Sequence, residues 1–173
     1  NLNILTEGQF QGLSTAQIAA LTTAQVANLE SADLAALSSL QLRAISTRGI
    51  AAMDSADIAA LSPSQLASLS SAQVRAIDTA DLAAISTEAL SGLGTASINA
   101  LTSAQLSALN SDQLQVLSAA QVRSIGSAQL VALGSSGLNA MSSTQIGALG
   151  SGQIAALSTA QISNLGTDAL GAL

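Results

Sequence analysis

Residues Ser14–Leu21 read STAQIAAL, and this eight-residue unit recurs with substitutions along the whole chain. Counting in eights from Thr6 gives 21 units and finishes on Leu173. In every unit the fifth and eighth positions are apolar, from Phe10 and Leu13 through Ile18 and Leu21 to Leu170 and Leu173. The opening residues, NLNIL at 1–5, keep the same register as the end of a partial unit, with Leu2 at position five and Leu5 at position eight. A chain of this kind is counted in units, and the 173 residues form one array that needs no domain boundary.

The unit reads as a short helix with its own punctuation. Positions five and eight are three residues apart, which places both on one face of a helix. Position one is Ser, Thr, Asp, Asn or Gly in 20 of the 21 units, the exception being Glu30. These residues are favoured at a helix N-cap, where a side-chain oxygen accepts an otherwise unpaired backbone N–H. Gln or Asp stands at position four in 16 units and completes the capping-box spacing, as Gln17 does with Ser14. Pro63, the single proline, falls at position two, the first helical residue, where its missing N–H is harmless. Gly94, Gly126, Gly134, Gly150 and Gly166 stand at position one, where glycine is expected to end the preceding helix in a left-handed conformation.

One continuous helix is excluded by geometry. Eight residues at about 100° each overshoot two turns by about 80°, so the apolar stripe would circle the helix within five units. Neither a seven- nor an eleven-residue supercoil absorbs that drift. The expectation is therefore an all-α solenoid of 21 octapeptide repeats, each a short capped helix plus a corner, with a Leu/Ile/Val interior made by positions five and eight. Position seven is Ala in 14 units, small enough for coils to approach closely. Burying two aliphatic side chains gains less than ordering eight residues costs, so a lone unit cannot fold and stability must come from stacking. Three acidic units, Glu30–Leu37, Asp54–Leu61 and Asp78–Ile85, recur at 24-residue intervals, which points to three units per coil. Seven such coils spaced about 8–10 Å apart make a rod roughly 55–70 Å long.

Composition removes most chemistry. Lys, His, Cys, Trp and Tyr are absent, and Phe10 is the one aromatic residue. A serine nucleophile would have only carboxylates for a base, so no enzyme and no cofactor are expected. The net charge of −6 arises from ten acids and four arginines, Arg43, Arg48, Arg75 and Arg123, which argues against nucleic acid as a partner. A polar residue or glycine interrupts every eighth position, so no membrane-spanning segment is expected. No basic stretch followed by an apolar run opens the sequence, and no signal peptide is expected in it. The paired acids Glu30/Asp33, Asp54/Asp57 and Asp78/Asp81 are the only metal-binding candidates. Their favoured role is helix capping and charge at helix N-termini, because calcium sites need more converging oxygens. Ser or Thr at position two in 18 units forms a hydroxyl column that could meet ice, a glycan or a surface, against a favoured role as a solvated first helical turn.

Leu13–Leu21 (LSTAQIAAL), Leu21–Leu29 (LTTAQVANL) and Leu157–Leu165 (LSTAQISNL) resemble the octapeptide arrays of large bacterial secreted and surface proteins, often labelled adhesin-like or haem-utilisation-like. The resemblance covers the whole chain and implies an extracellular or cell-surface structural segment, a spacer, stalk or filament. It transfers no functional residue, and no haem ligand is recognisable. Uncapped apolar coil ends imply self-association or continuation into further repeats. The alternative is a binding scaffold presenting its Ser/Thr or acidic columns to a protein, glycan, cation or ice surface.

Overall fold

A computed structural model describes residues 2–173. A 3-10 turn at Leu2–Ile4 precedes one helix for every octapeptide. The first nine are α1 (Glu7–Gln11), α2 (Thr15–Ala19), α3 (Thr23–Val26), α4 (Ser31–Ala36), α5 (Ser39–Ala44), α6 (Thr47–Ile50), α7 (Ser55–Ala60), α8 (Pro63–Ser68) and α9 (Ser71–Ala76). Then follow α10 (Thr79–Ala83), α11 (Thr87–Ser91), α12 (Thr95–Ala100), α13 (Ser103–Ala108), α14 (Ser111–Gln115) and α15 (Ala119–Ser124). The last coils hold α16 (Ser127–Ala132), α17 (Gly134–Ala140), α18 (Ser143–Ile146), α19 (Ser151–Ala156), α20 (Thr159–Ser163) and α21 (Thr167–Ala172).

Each helix packs on the helix three places further along, α1 on α4, α2 on α5, and so on to α18 on α21. The chain is thus a solenoid with three units per coil, and its helices stand in three columns that begin with α1, α2 and α3. The 24-residue recurrence of acidic units reported this geometry, since α4, α7 and α10 lie in one column.

Capping explains the short helices. Every first residue with a side chain accepts a backbone N–H of its own helix, except Glu30. At the other end the chain leaves the helix by turning extended, as at Leu37 (ψ 140°), and stays extended into the next cap, as at Ser38 (ψ 158°). Two successive extended residues make the corner.

The position-one glycines depart from expectation. Only Gly134 has positive φ, at 66°, while Gly94, Gly126, Gly150 and Gly166 are extended like the serines they replace. Closing a helix here takes an extended residue at position eight, which needs no left-handed residue. At Gly134 the preceding Leu133 stays helical (ψ −24°), so α16 runs almost directly into α17 and the left-handed glycine absorbs the bend. A Cβ on Gly134 would meet no atom within 4 Å, so alanine there is disfavoured by backbone conformation alone. Gly134→Ala is expected to cost about 1–2 kcal/mol, whereas Gly94→Ser, which supplies a missing cap, should stabilise by a few tenths. Urea midpoints of both variants check this pair.

Positions five and eight fill the interior as expected, with Leu34, Leu42, Leu66, Leu82 and Ile98 among the fully buried side chains. Position five faces the following coil and position eight the preceding one. The ends reveal this: Leu5, Leu13 and Leu21 at position eight are half-exposed at the first coil, and Ile154, Ile162 and Leu170 at position five are half-exposed or exposed at the last.

Candidate functional site

Position four is a third interior position, and its glutamines do two jobs at once. In Gln41, Oε1 accepts the Ser38 backbone N–H at 2.8 Å while the Gln41 N–H donates to Ser38 Oγ at 3.3 Å, completing the capping box. The other half of the amide reaches into the preceding coil. Gln41 Nε2 donates to the carbonyls of Phe10 (2.9 Å), Gln11 (3.2 Å) and Leu13 (2.7 Å), at the end of α1. Gln65 repeats this on Leu34, Ala35 and Leu37, Gln105 on Val74, Arg75 and Ile77, and Gln145 on Leu114, Gln115 and Leu117. The position-five carbonyl already accepts the position-eight N–H of its own unit, as Phe10 does from Leu13 at 3.1 Å. The carbonyls that follow it have no such partner, and here a buried amide from the next coil supplies one. Glutamine suits the place because one planar group carries an acceptor and a donor at the right reach. The ladder was missed in the sequence because the capping box already accounted for Gln at that spacing, and nothing local announces a contact 28 residues away.

Other polar columns also join coils. Hydroxyls at position two donate to position-three carbonyls one coil on, Ser39 to Ser64 (3.3 Å), Ser71 to Ala96 (3.2 Å) and Ser127 to Gly152 (3.3 Å). At position six, Asn99, Ser107, Arg123 and Asn139 donate to the carbonyls of Ser124, Ala132, Ala148 and Asn164. Part of the hydroxyl column is therefore engaged in the fold.

The acidic candidates are stacked in the first column but divided between two environments. Glu30, Asp54 and Asp78 are exposed at position one. Asp54 Oδ1 accepts the N–H groups of Ala56 (2.9 Å) and Asp57 (3.0 Å), and Asp78 Oδ1 that of Ala80 (2.9 Å), whereas Glu30 makes no cap bond. Asp33, Asp57 and Asp81 stand at position four, facing inward in place of glutamine. A carboxylate cannot donate to the carbonyls below; it accepts instead. Ser31 Oγ donates to Asp57 Oδ1 at 2.8 Å and Ser55 Oγ to Asp81 Oδ1 at 2.6 Å, each across one coil. Among the described residues no group of three or more acidic side chains converges as metal ligands would. Calcium, tested against chelator in a thermal melt, is expected to leave Tm unchanged; an upward shift would reinstate the ladder as a cation site.

Asp33 is the one member of this series left without a donor, and its Oδ2 is buried with no hydrogen bond among the described residues. The residue equivalent to Ser31 and Ser55 beneath it is Glu7, which has no proton to give. Glu7→Ser is expected to raise stability by about 1 kcal/mol, a hydroxyl–carboxylate bond outweighing the exposed Gln11–Glu7 contact it removes. A lower melting temperature for this variant would show that Asp33 is served by solvent instead.

Where position four carries neither Gln nor Asp, space can open between coils. A cavity of about 250 Å³ adjoins Gly137, lined by Ser107, Leu109, Asn110, Ser111 and Ser136, and a second lies beside Ala169 against Asn139 and Met141. Ser107 and Leu109, and likewise Asn139 and Met141, are the residues whose carbonyls a glutamine at these places would have reached. Charge is divided by column as well. The column of α1, α4, α7 and α10 carries seven of the ten acids and no arginine, while the column that begins with α3 carries Arg48, Arg75 and Arg123.

Compared with known proteins, the chain matches the family model described as the ALTTAQ repeat at residues 2–31, 26–55, 50–80, 74–111, 106–143, 122–159 and 146–173. The first four matches begin 24 residues apart, one coil each. No curated protein and no solved structure shows significant similarity to it.

Proposed function

The chain belongs to the ALTTAQ repeat family, and from that premise we propose that it is a non-enzymatic structural segment, a stiff spacer of a bacterial extracellular or cell-surface protein. The observation that carries this reading is the glutamine ladder. The second, third and fifth to seventh coils are bonded to preceding coils by glutamine amides as well as by apolar packing. The fourth, with Asp81, Ala89 and Ser97 at position four, relies on apolar packing and the Ser55–Asp81 and Ser71–Ala96 bonds. The array therefore resists bending and shear between coils and transmits length. A hydroxyl-rich, sparsely charged surface keeps such a rod soluble without giving it a site for chemistry. The test is cellular: antibody to this segment, applied to intact cells of the source organism and imaged by electron microscopy. Surface label on stalks or fibres supports the proposal, and label confined to permeabilised cells overturns it.

The acidic first column favours a second reading, a scaffold that presents Glu30, Asp54 and Asp78 in line to a cationic partner. Concentration of charge on one of three sides is what that reading requires and a bare spacer does not. Binding of an oligo-arginine peptide that is abolished by neutralising those three residues would select it over the spacer.

A further inference from the structure

The sixth coil carries Gln129, Gly137 and Gln145 at position four of its three units. Gln129 donates to the carbonyls of Asn99 and Leu101, and Gln145 to those of Leu114, Gln115 and Leu117. The coil is thus stapled on both sides of α17 and cannot settle onto the coil below. Between the two staples lies the cleft of about 250 Å³ beside Gly137. We propose that this cleft binds a primary carboxamide through the backbone carbonyls of Ser107 and Leu109.

The cleft is built into the backbone. Leu133 stays helical and Gly134 turns left-handed, which brings Leu133 over position 137. A Cβ on Gly137 would stand 3.0 Å from Leu133 Cβ and 3.1 Å from its Cδ2. This unit could carry its own amide only by displacing Leu133, which instead forms one wall of the cleft. Elsewhere the position-two hydroxyl reaches a position-three carbonyl one coil on, as Ser39 reaches Ser64. Ser111 and Ser136 are an equivalent pair, yet both line the cleft and neither hydroxyl is bonded among the described residues.

The ladder itself identifies the ligand. At Gln121 a single Nε2 donates to the carbonyls of Ser91 (3.2 Å) and Leu93 (2.8 Å). Ser107 and Leu109 occupy the same places two units on, and both line the cleft. Neither carbonyl receives a donor among the described residues. A planar NH2 group serves two acceptors at once, and the Ser111 and Ser136 hydroxyls are donors for the amide oxygen. None of the lining residues is charged, which favours a neutral amide over an ammonium ion, and a carboxylate would set oxygen against oxygen. The volume lies below that of drug-sized sites, so the ligand is about as small as one side chain.

The probe is propionamide, which reproduces the glutamine side chain, titrated into the full chain and followed by backbone amide NMR. Saturable shifts are expected at Ser111, Ser136 and Gly137, and none at Ser91 or Leu93, whose carbonyls Gln121 already serves. N,N-dimethylpropionamide and propionate lack the NH2 group and should leave the spectrum unchanged. Ser136→Leu should abolish the shifts by filling the cleft. Its melting temperature should hold, because Leu40 stands at the same position of the same column, 71% exposed. No saturable shift, equal shifts from the dimethyl amide or from propionate, or shifts retained in Ser136→Leu would each overturn the proposal. Free glutamine and a glutamine-containing tripeptide blocked at both ends then separate the two sources of the amide. Tighter binding of the first assigns the site to a small molecule, and of the second to a side chain presented by a partner protein. The site is independent of the spacer reading, which stands or falls by the cellular labelling.

Discussion

Gln105→Glu is expected to lower stability by about 3–5 kcal/mol, an unusually large loss for a substitution that preserves size and shape. The glutamate oxygen that replaces Oε1 can still accept the Thr102 N–H, so the cap of α13 is retained. The other oxygen takes the place of Nε2, which donates to Val74, Arg75 and Ile77 at 3.2, 3.2 and 2.8 Å. Three carbonyls lose a donor and confront a buried negative charge. Gln105 is 2% exposed, so water cannot relieve the conflict without separating the coils. Gln105→Met, which removes the staple and the side-chain half of the capping box without adding charge and leaves the backbone N–H on Thr102 Oγ1, should cost less, about 1–3 kcal/mol. Gln17→Glu should cost almost nothing, because its Nε2 meets no carbonyl among the described residues. Urea midpoints of the three variants order the contributions. If Gln17→Glu and Gln105→Glu prove equally harmful, the effect belongs to the cap and the ladder is without energetic weight.

The second large effect concerns the interior. Leu82 is fully buried in the fourth coil, packed between the coils on either side. Truncation to alanine should cost about 2–5 kcal/mol, the range for aliphatic side chains removed from sites that cannot collapse. Collapse is resisted toward the next coil because the Gln113 amide holds the carbonyls of Leu82, Ala83 and Ile85 at fixed spacing. The location adds a second consequence. In an array whose coils touch only their neighbours, a weak middle coil uncouples the two halves. Unfolding followed by hydrogen exchange should then separate into two phases for Leu82→Ala while the parent shows one. Leu170→Ala, at the exposed last coil, should change stability by less than about 1 kcal/mol and leave the phases unaltered. A single phase in Leu82→Ala would mean that coupling reaches beyond adjacent coils.

The unit was legible because its determinants are local. Ser14 caps a helix whose Gln17 returns to the Ser14 N–H, and both lie within four residues of sequence. Ile18 and Leu21 declare their common side by spacing, and the corner follows where the cap of the next unit begins. Even the number of units per coil was recoverable from Glu30, Asp54 and Asp78, which mark one column at 24-residue intervals. The glycines were misjudged for an instructive reason. Glycine after a helix ordinarily signals a left-handed stop, but here Gly94 and Gly150 merely replace a capping serine in extended conformation.

Sequence alone determined everything that depends on neighbours within one unit: the helix, its caps, the apolar edge, and therefore the solenoid, since no other packing buries positions five and eight of every repeat. Only the tertiary structure decided what position four is for. The amide of Gln41 meets the carbonyl of Leu13 because stacking places them 2.7 Å apart, and that distance depends on coil pitch and corner shape, neither of which is written in any one octapeptide. The same is true of Asp57, whose partner Ser31 is supplied by the coil beneath, and of Asp33, whose equivalent partner is the glutamate that cannot serve it. A capping box is a contract between residues three apart; a staple is one between coils, and it exists only once the coils are stacked.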